Sequence, residues 1–114
     1  MLLLKVKALV IAATILIVAF QGCGQHIKIA DLTRDPGRYH DKDVTISGTV
    51  TDSYGLLSAG AYQVDDGSGR IWVISERAGV PTQGAHVEVT GRLAEGASFG
   101  GRNLGMVLRE ASRK

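Results

Sequence analysis

The chain has one cysteine, two prolines and one tryptophan in 114 residues. A single cysteine excludes an internal disulfide, so a fold must rest on its packed core. Scarce proline, with 15 glycines spread without a repeat, excludes proline-rich and collagen-like segments and suits a tightly turning β protein. The longest apolar run, Ala8 to Phe20, is interrupted only by Thr14 and falls short of the roughly 20 residues a membrane-spanning helix needs. No glycine loop ends in Lys-Ser or Lys-Thr, and no serine sits in a nucleophile elbow. The expectation is a protein that is not an enzyme and takes no cofactor and no metal.

Strong charge of one sign is also missing. The net charge is +2, but Lys5 and Lys7 lie in a segment expected to be removed. Without them the basic and acidic side chains balance at eleven each. Sequence-independent nucleic-acid binding draws on Lys and Arg displacing counterions from phosphates, so neutrality disfavours nucleic acid as a partner. The distribution is uneven: residues 23–69 carry seven acids and four bases, and residues 70–114 carry four acids and seven bases.

The beginning of the chain reads as an export signal: two lysines, a short apolar run, then Gln21-Gly22-Cys23. Phe20-Gln21-Gly22-Cys23 resembles the lipobox of bacterial lipoproteins, with Phe20 where leucine is usual. The resemblance implies cleavage before Cys23, diacylation of its thiol and a membrane held through the N-terminal lipid. Residues 1–22 are then a lipoprotein signal peptide, 23–28 a polar tether, and 29–112 a domain. Gly24 lacks the aspartate of inner-membrane retention. The address is therefore the cell envelope: the outer membrane facing the periplasm if the cell is Gram-negative, the cell surface otherwise.

Within the domain, Ile29-Ala30-Asp31-Leu32 predicts one helical turn, stopped by Asp35-Pro36-Gly37, and Tyr39 is expected to pack on the domain. Asp43 to Ser53 alternates strictly, with Val44, Ile46, Gly48 and Val50 inward; Gly48 lets the strand bend and serve two neighbours. Tyr54–Gly60 and Ala94–Asn103 read as glycine-rich loops. Between them lies the strongest local signal, a hairpin of Tyr62 to Ile74 turning at Asp66-Gly67-Ser68-Gly69. Tyr62, Val64, Ile71 and Val73 face in. His86–Leu93 and Leu104–Leu108 complete five strands. The expected fold is all-β, a five-stranded barrel preceded by a short helical turn.

Val44-x-Ile46-x-Gly48-x-Val50, Tyr62-x-Val64-x-Asp66-Gly67-Ser68-Gly69-x-Ile71-x-Val73 and Pro81-x-x-Gly84-x-x-Val87-x-Val89-x-Gly91-x-Leu93 resemble an OB-fold domain of the nucleic-acid-binding, tRNA-anticodon-like type. The order of elements is also similar to the membrane-tethered haem chaperone of cytochrome c maturation. That family holds haem through a histidine after its last strand, and Leu108-Arg109-Glu110-Ala111-Ser112 has none, so covalent haem is not expected.

Candidate binding residues lie on the outward row. Trp72 should point out beside Gln63, with Arg70 on the same parity and Thr45 and Thr49 on the neighbouring strand. An exposed aromatic can stack a base or another planar ligand, and Arg70 could meet a phosphate or carboxylate. The plainer alternative is that the N-terminal segment or the Leu56-Leu57 loop folds over Trp72. Phe99, with Leu56 and Leu57, borders the usual OB ligand face and either meets a partner or closes the barrel. Asp65-Asp66 and His40 with its neighbouring aspartates are weak metal candidates beside ordinary turn bonds, and His86 with Glu88 reads as an exposed pair. The expected function is a lipid-anchored extracytoplasmic OB-fold binding module without catalysis, its partner an oligomeric ligand or an envelope protein. The alternatives are a single-stranded nucleic-acid-binding protein, or an assembly lipoprotein acting through protein contacts.

Overall fold

The computed structural model describes residues 25–99 and 101–114, with the side chains of Ala97 and Phe99 left aside. The expected signal peptide and Cys23 therefore lie outside the described residues. The chain is mostly β: β1 (Gln25–His26), α1 (Ile29–Arg34), a 3-10 turn (Pro36–Tyr39), β2 (Val44–Leu56), β3 (Ala59–Asp65), β4 (Arg70–Ser75), β5 (His86–Phe99) and β6 (Arg102–Arg113). They form one sheet in the order β1-β2-β3-β4-β6-β5, and β2 also pairs with β5, so the pairing runs round a closed ring.

That closure depends on β2 serving two neighbours, as its bend at Gly48 suggested. Val44 to Thr49 pair with β5, and Thr49 to Leu56 pair with β3. A Cβ at Gly48 would run into the Asp65 carbonyl, so only glycine lets β3 end this close to the bend. The expected inward residues form the core: Val44, Ile46, Val50, Tyr62, Val64, Ile71, Val73, Val87, Val89 and Leu108 are all buried. Ile29 and Leu32 of α1 join the same cluster, and Tyr39 packs against it.

Strand lengths differ from the sequence reading, for physical reasons. Gly55 and Gly60 read as loop residues, yet they face each other in the β2–β3 ladder. A Cβ at either would meet a Val80 methyl, 2.9 Å away for Gly55 and 2.5 Å for Gly60. These glycines admit Val80; they do not break the strands, and only Leu57-Ser58 remain as the turn. The second expected loop is mostly strand as well. Gly96 and Gly105, at φ +71° and +70°, sit in a ladder whose register shifts between Ala94 and Ala97, and strand pairing persists to Phe99. At the other end, Gln25 and His26 are not a free tether. They pair in parallel with Val44 and Thr45, and the Ile27 N–H donates to the Thr45 carbonyl at 2.9 Å.

The hairpin turn does more than reverse the chain. α1 has no side-chain cap of its own; Asp66 supplies one from 37 residues away. Its Oδ2 accepts the Ile29 N–H at 2.8 Å, and the Ser68 hydroxyl accepts the Ala30 N–H at 3.1 Å. Asp66 Oδ1 meanwhile accepts the Ser68 and Gly69 N–H groups and the Ser68 hydroxyl. Burial works to raise the Asp66 pKa, but the hydrogen bonds from Ile29, Ser68 and Gly69 outweigh it and hold the carboxyl below its ordinary value. Asp66→Ala is expected to cost about 2 kcal/mol, read from the urea midpoint, the upper range for losing a helix cap. A depressed pKa contributes stability above the unfolded value of about 3.9 and loses it as pH falls through the folded value. Wild-type protein should therefore lose more stability than Asp66→Asn on titration from neutral pH down into the acid range.

Candidate functional site

The hairpin places Trp72 where the alternation predicted, directly opposite Gln63 on the outer side of the sheet. Trp72 is partly buried, and the ring stacked on it is that of Tyr54, two residues before Leu56, with ring centroids 5.8 Å apart and planes inclined by 29°, within the range of offset-stacked aromatic pairs. Tyr54 remains half exposed, while Leu56 and Leu57 at the adjoining hairpin tip are 70% and 98% exposed. Ala61 and Val107 are buried on this outer side, although neither belongs to the inner cluster. They neighbour Tyr54 and Trp72 in register, so the two rings stand over a small apolar floor.

Tyr54 reaches this face through an irregularity. Val50 faces in opposite Val64, but the next matched pair is Asp52 with Gln63, leaving Thr51 bulged. The bulge shifts parity by one, so Asp52 and Tyr54 point out where strict alternation would turn them in. Thr51 Oγ1 lies 3.1 Å from Gln63 Oε1 and holds that side chain beside the rings.

The other candidates are distributed differently. Arg70 is on the outer row, but its Nε donates to Asp65 Oδ2 at 3.0 Å. Asp65 is held below its ordinary pKa, first by the Gly67 N–H and then by Arg70, so this guanidinium already has a carboxylate. Thr49 is exposed at the end of the β3 ladder. Thr45 is buried under β1, its hydroxyl 2.8 Å from that of Thr90, and faces no solvent. The Phe99 side chain lies outside the described residues. Asp65 and Asp66 engage in turn bonds, and among the described residues no group of three His, Cys, Asp or Glu is arranged to hold a metal ion. Glu88 faces His26 at 3.6 Å, not His86.

One polar cluster escaped the sequence reading. Inside the ring at the β6 end, Glu110 accepts from the Tyr62 hydroxyl, from Ser75 Oγ at 3.2 Å and from Arg113 Nη1 at 2.9 Å. Arg113 also donates to the Ala78 and Gly79 carbonyls and lies over the Tyr62 ring. Burial, then the bond to Glu110, pushes the Tyr62 phenol above its ordinary range, so it stays a proton donor. An inward tyrosine requires a hydrogen-bonding partner, and Glu110, two residues after inward Leu108, was the sequence signal available. Every buried polar side-chain atom here has a hydrogen-bond partner, so the cluster ties β6 to the hairpin without leaving a buried donor or acceptor unmet. Open grooves of about 330 and 300 Å³ lie away from the aromatic pair, the first lined by Pro36, Gly37, His40, Leu93, Glu95 and Met106, the second by Glu76, Arg77, Ala78, Glu110 and Ala111.

No family model matches the chain, and no curated protein matches it. Among solved structures, an OBody bound to hen egg-white lysozyme is similar, with a TM-score of 0.51 and 16% identity over 67% of this chain and 82% of that one. At that identity the likeness concerns the fold alone.

Proposed function

We propose that the protein is a bacterial lipoprotein whose domain is an OB-fold barrel acting as a non-catalytic binding module in the cell envelope. Its ligand face is the outer row of Tyr54, Gln63 and Trp72. The observation that carries this reading is the half-exposed Tyr54–Trp72 stack beside a polar amide. Aromatic faces flanked by hydrogen-bonding groups suit sugar rings as well as bases, and OB barrels take both classes of polymer. Arg70 is already paired with Asp65, and Arg109 with Glu76. Together with the neutral charge after Cys23, this favours an uncharged ring over a phosphate-bearing strand, and we assign an oligosaccharide. The exposed Leu56 and Leu57 support a second reading, in which the same end of the domain contacts an envelope protein.

Trp72 is the only tryptophan, so its emission reports this face. Titration with a chito-oligosaccharide should change that emission, and isothermal calorimetry should find binding lost in Trp72→Ala and weakened at least about fivefold in Tyr54→Ala, as stacking of about 1–3 kcal/mol per ring implies. Salt-sensitive quenching by single-stranded DNA, with no response to the sugar, would move the assignment to nucleic acid. Silence to both would leave the protein-contact reading.

A further inference from the structure

We propose that lipidation seats the domain on the bilayer by its β1 pole and presents the Leu56-Leu57 tip at the membrane-distal end. The inference rests on the lipidation of Cys23 proposed above and adds an orientation to it. Two peptide units separate Cys23 from Gln25, so their Cα atoms lie within about 7.6 Å of each other whatever the conformation of Gly24. Gln25 is not free to swing. It pairs with Val44, the first residue of β2, and the chain runs on through His26–Thr45 and the Ile27–Thr45 bond into α1, whose Ile29 and Leu32 are buried in the core. Gly24 is thus the single residue between the anchoring cysteine and a strand that is paired into the domain.

The hairpin tip is at the opposite end of the same strand. Leu56 closes β2, twelve residues from Val44, a contour of about 40 Å at strand rise. The bend at Gly48 shortens that path. Even so, the part of β2 beyond the bend runs along β3 from Thr49–Asp65 to Leu56–Ala59. The six steps from Ala59 to Asp65 in β3 alone span about 20 Å. The tip is fixed there by the β4–β5 connection, where the Gly79 N–H donates to the Ser58 carbonyl at 2.7 Å.

The chemistry of the two ends agrees with this polarity. Around β1 the surface is polar, with Asp43 paired to Arg92 and the His26 ring beside the Glu88 carboxylate, which suits contact with lipid headgroups and gives no reason to insert. At the tip, Leu57 is almost wholly exposed at φ +58°, a conformation that costs a non-glycine residue about 1–2 kcal/mol. An aliphatic side chain held out on a strained turn, far from the anchor, is aimed into the aqueous compartment.

Tryptophan quenching by lipids with brominated acyl chains tests the orientation. The full chain is produced with its N-terminal segment and reconstituted into phosphatidylcholine–phosphatidylglycerol vesicles, and metabolic palmitate labelling of the same preparation reports the anchor. In a Trp72→Phe background, Gln25→Trp should lose much of its emission to brominated lipid, while Leu57→Trp should emit as it does over unbrominated lipid. Equal quenching at both positions in labelled protein overturns the orientation and leaves the anchor standing. Absence of label, with Cys23→Ser behaving like wild type, overturns the anchor and the orientation together.

Discussion

Glu110→Ala is expected to lose about 3–5 kcal/mol of stability, the range for removing one partner of a buried ion pair. The Glu110 side chain is 5% exposed, and its loss removes the acceptor of the Tyr62 and Ser75 hydroxyls and the carboxylate partner of Arg113, which keeps the Ala78 and Gly79 carbonyls. A domain of this size commonly has only about 5–15 kcal/mol in hand, so the variant should unfold at a much lower urea concentration than wild type. The order of effects separates charge from shape. Glu110→Gln keeps acceptors for Tyr62 and Ser75 and should lose less. Tyr62→Phe removes one hydroxyl and should lose about 1–2 kcal/mol. A Glu110→Ala midpoint within error of wild type would contradict the view that this network holds β6 to the hairpin.

Gly91→Ala should be almost as damaging through an opposite mechanism. A Cβ at residue 91 would run into the Arg109 carbonyl on β6. The obstacle is backbone of the neighbouring strand, at a register shift between Thr90 and Gly91, so no side chain can rotate away. Overpacking of this kind costs about 3 kcal/mol at its upper range. At about 4–8 °C per kcal/mol for a domain of this size, the melting temperature should fall by about 12–24 °C. Gly67→Ala is the contrasting control. Nothing lies within 4 Å of its Cβ position, but φ is +87°, so its cost should be that of the turn conformation alone, about 1–2 kcal/mol.

Period-two alternation was enough to read the core. The inward sets of β2, of the hairpin and of the first half of β5 are buried as expected, because side-chain direction in a strand follows from position alone. Reading failed where a residue served a neighbour remote in sequence. Gly55 and Gly60 resemble loop punctuation until Val80 is known to lie against them. Asp66 looks like a turn former, yet one of the four hydrogen bonds its carboxylate accepts comes from a helix 37 residues earlier. The same limit applied to the candidate ligand face. Trp72 and Gln63 were legible from hairpin parity, but Tyr54 was not, since a bulge at Thr51 reverses the direction of everything after it and no local residue announces the bulge. Arg70 was placed on the right row, yet its pairing with Asp65 changes what it can offer a ligand. Thr45 shows the complementary error: its parity is outward, and β1 covers it.

In the proposed function, binding takes place on the outer row and not in the grooves. Amide chemical-shift mapping of the isotope-labelled chain from Cys23 onward, titrated with a chito-oligosaccharide, tests it most directly. Shifts should track together along Tyr54, Ala61, Gln63, Trp72 and Ile74, with Thr45 and Glu110 unmoved. Shifts centred on His40, Leu93 and Met106, or no movement along the aromatic row at saturating sugar, would contradict it.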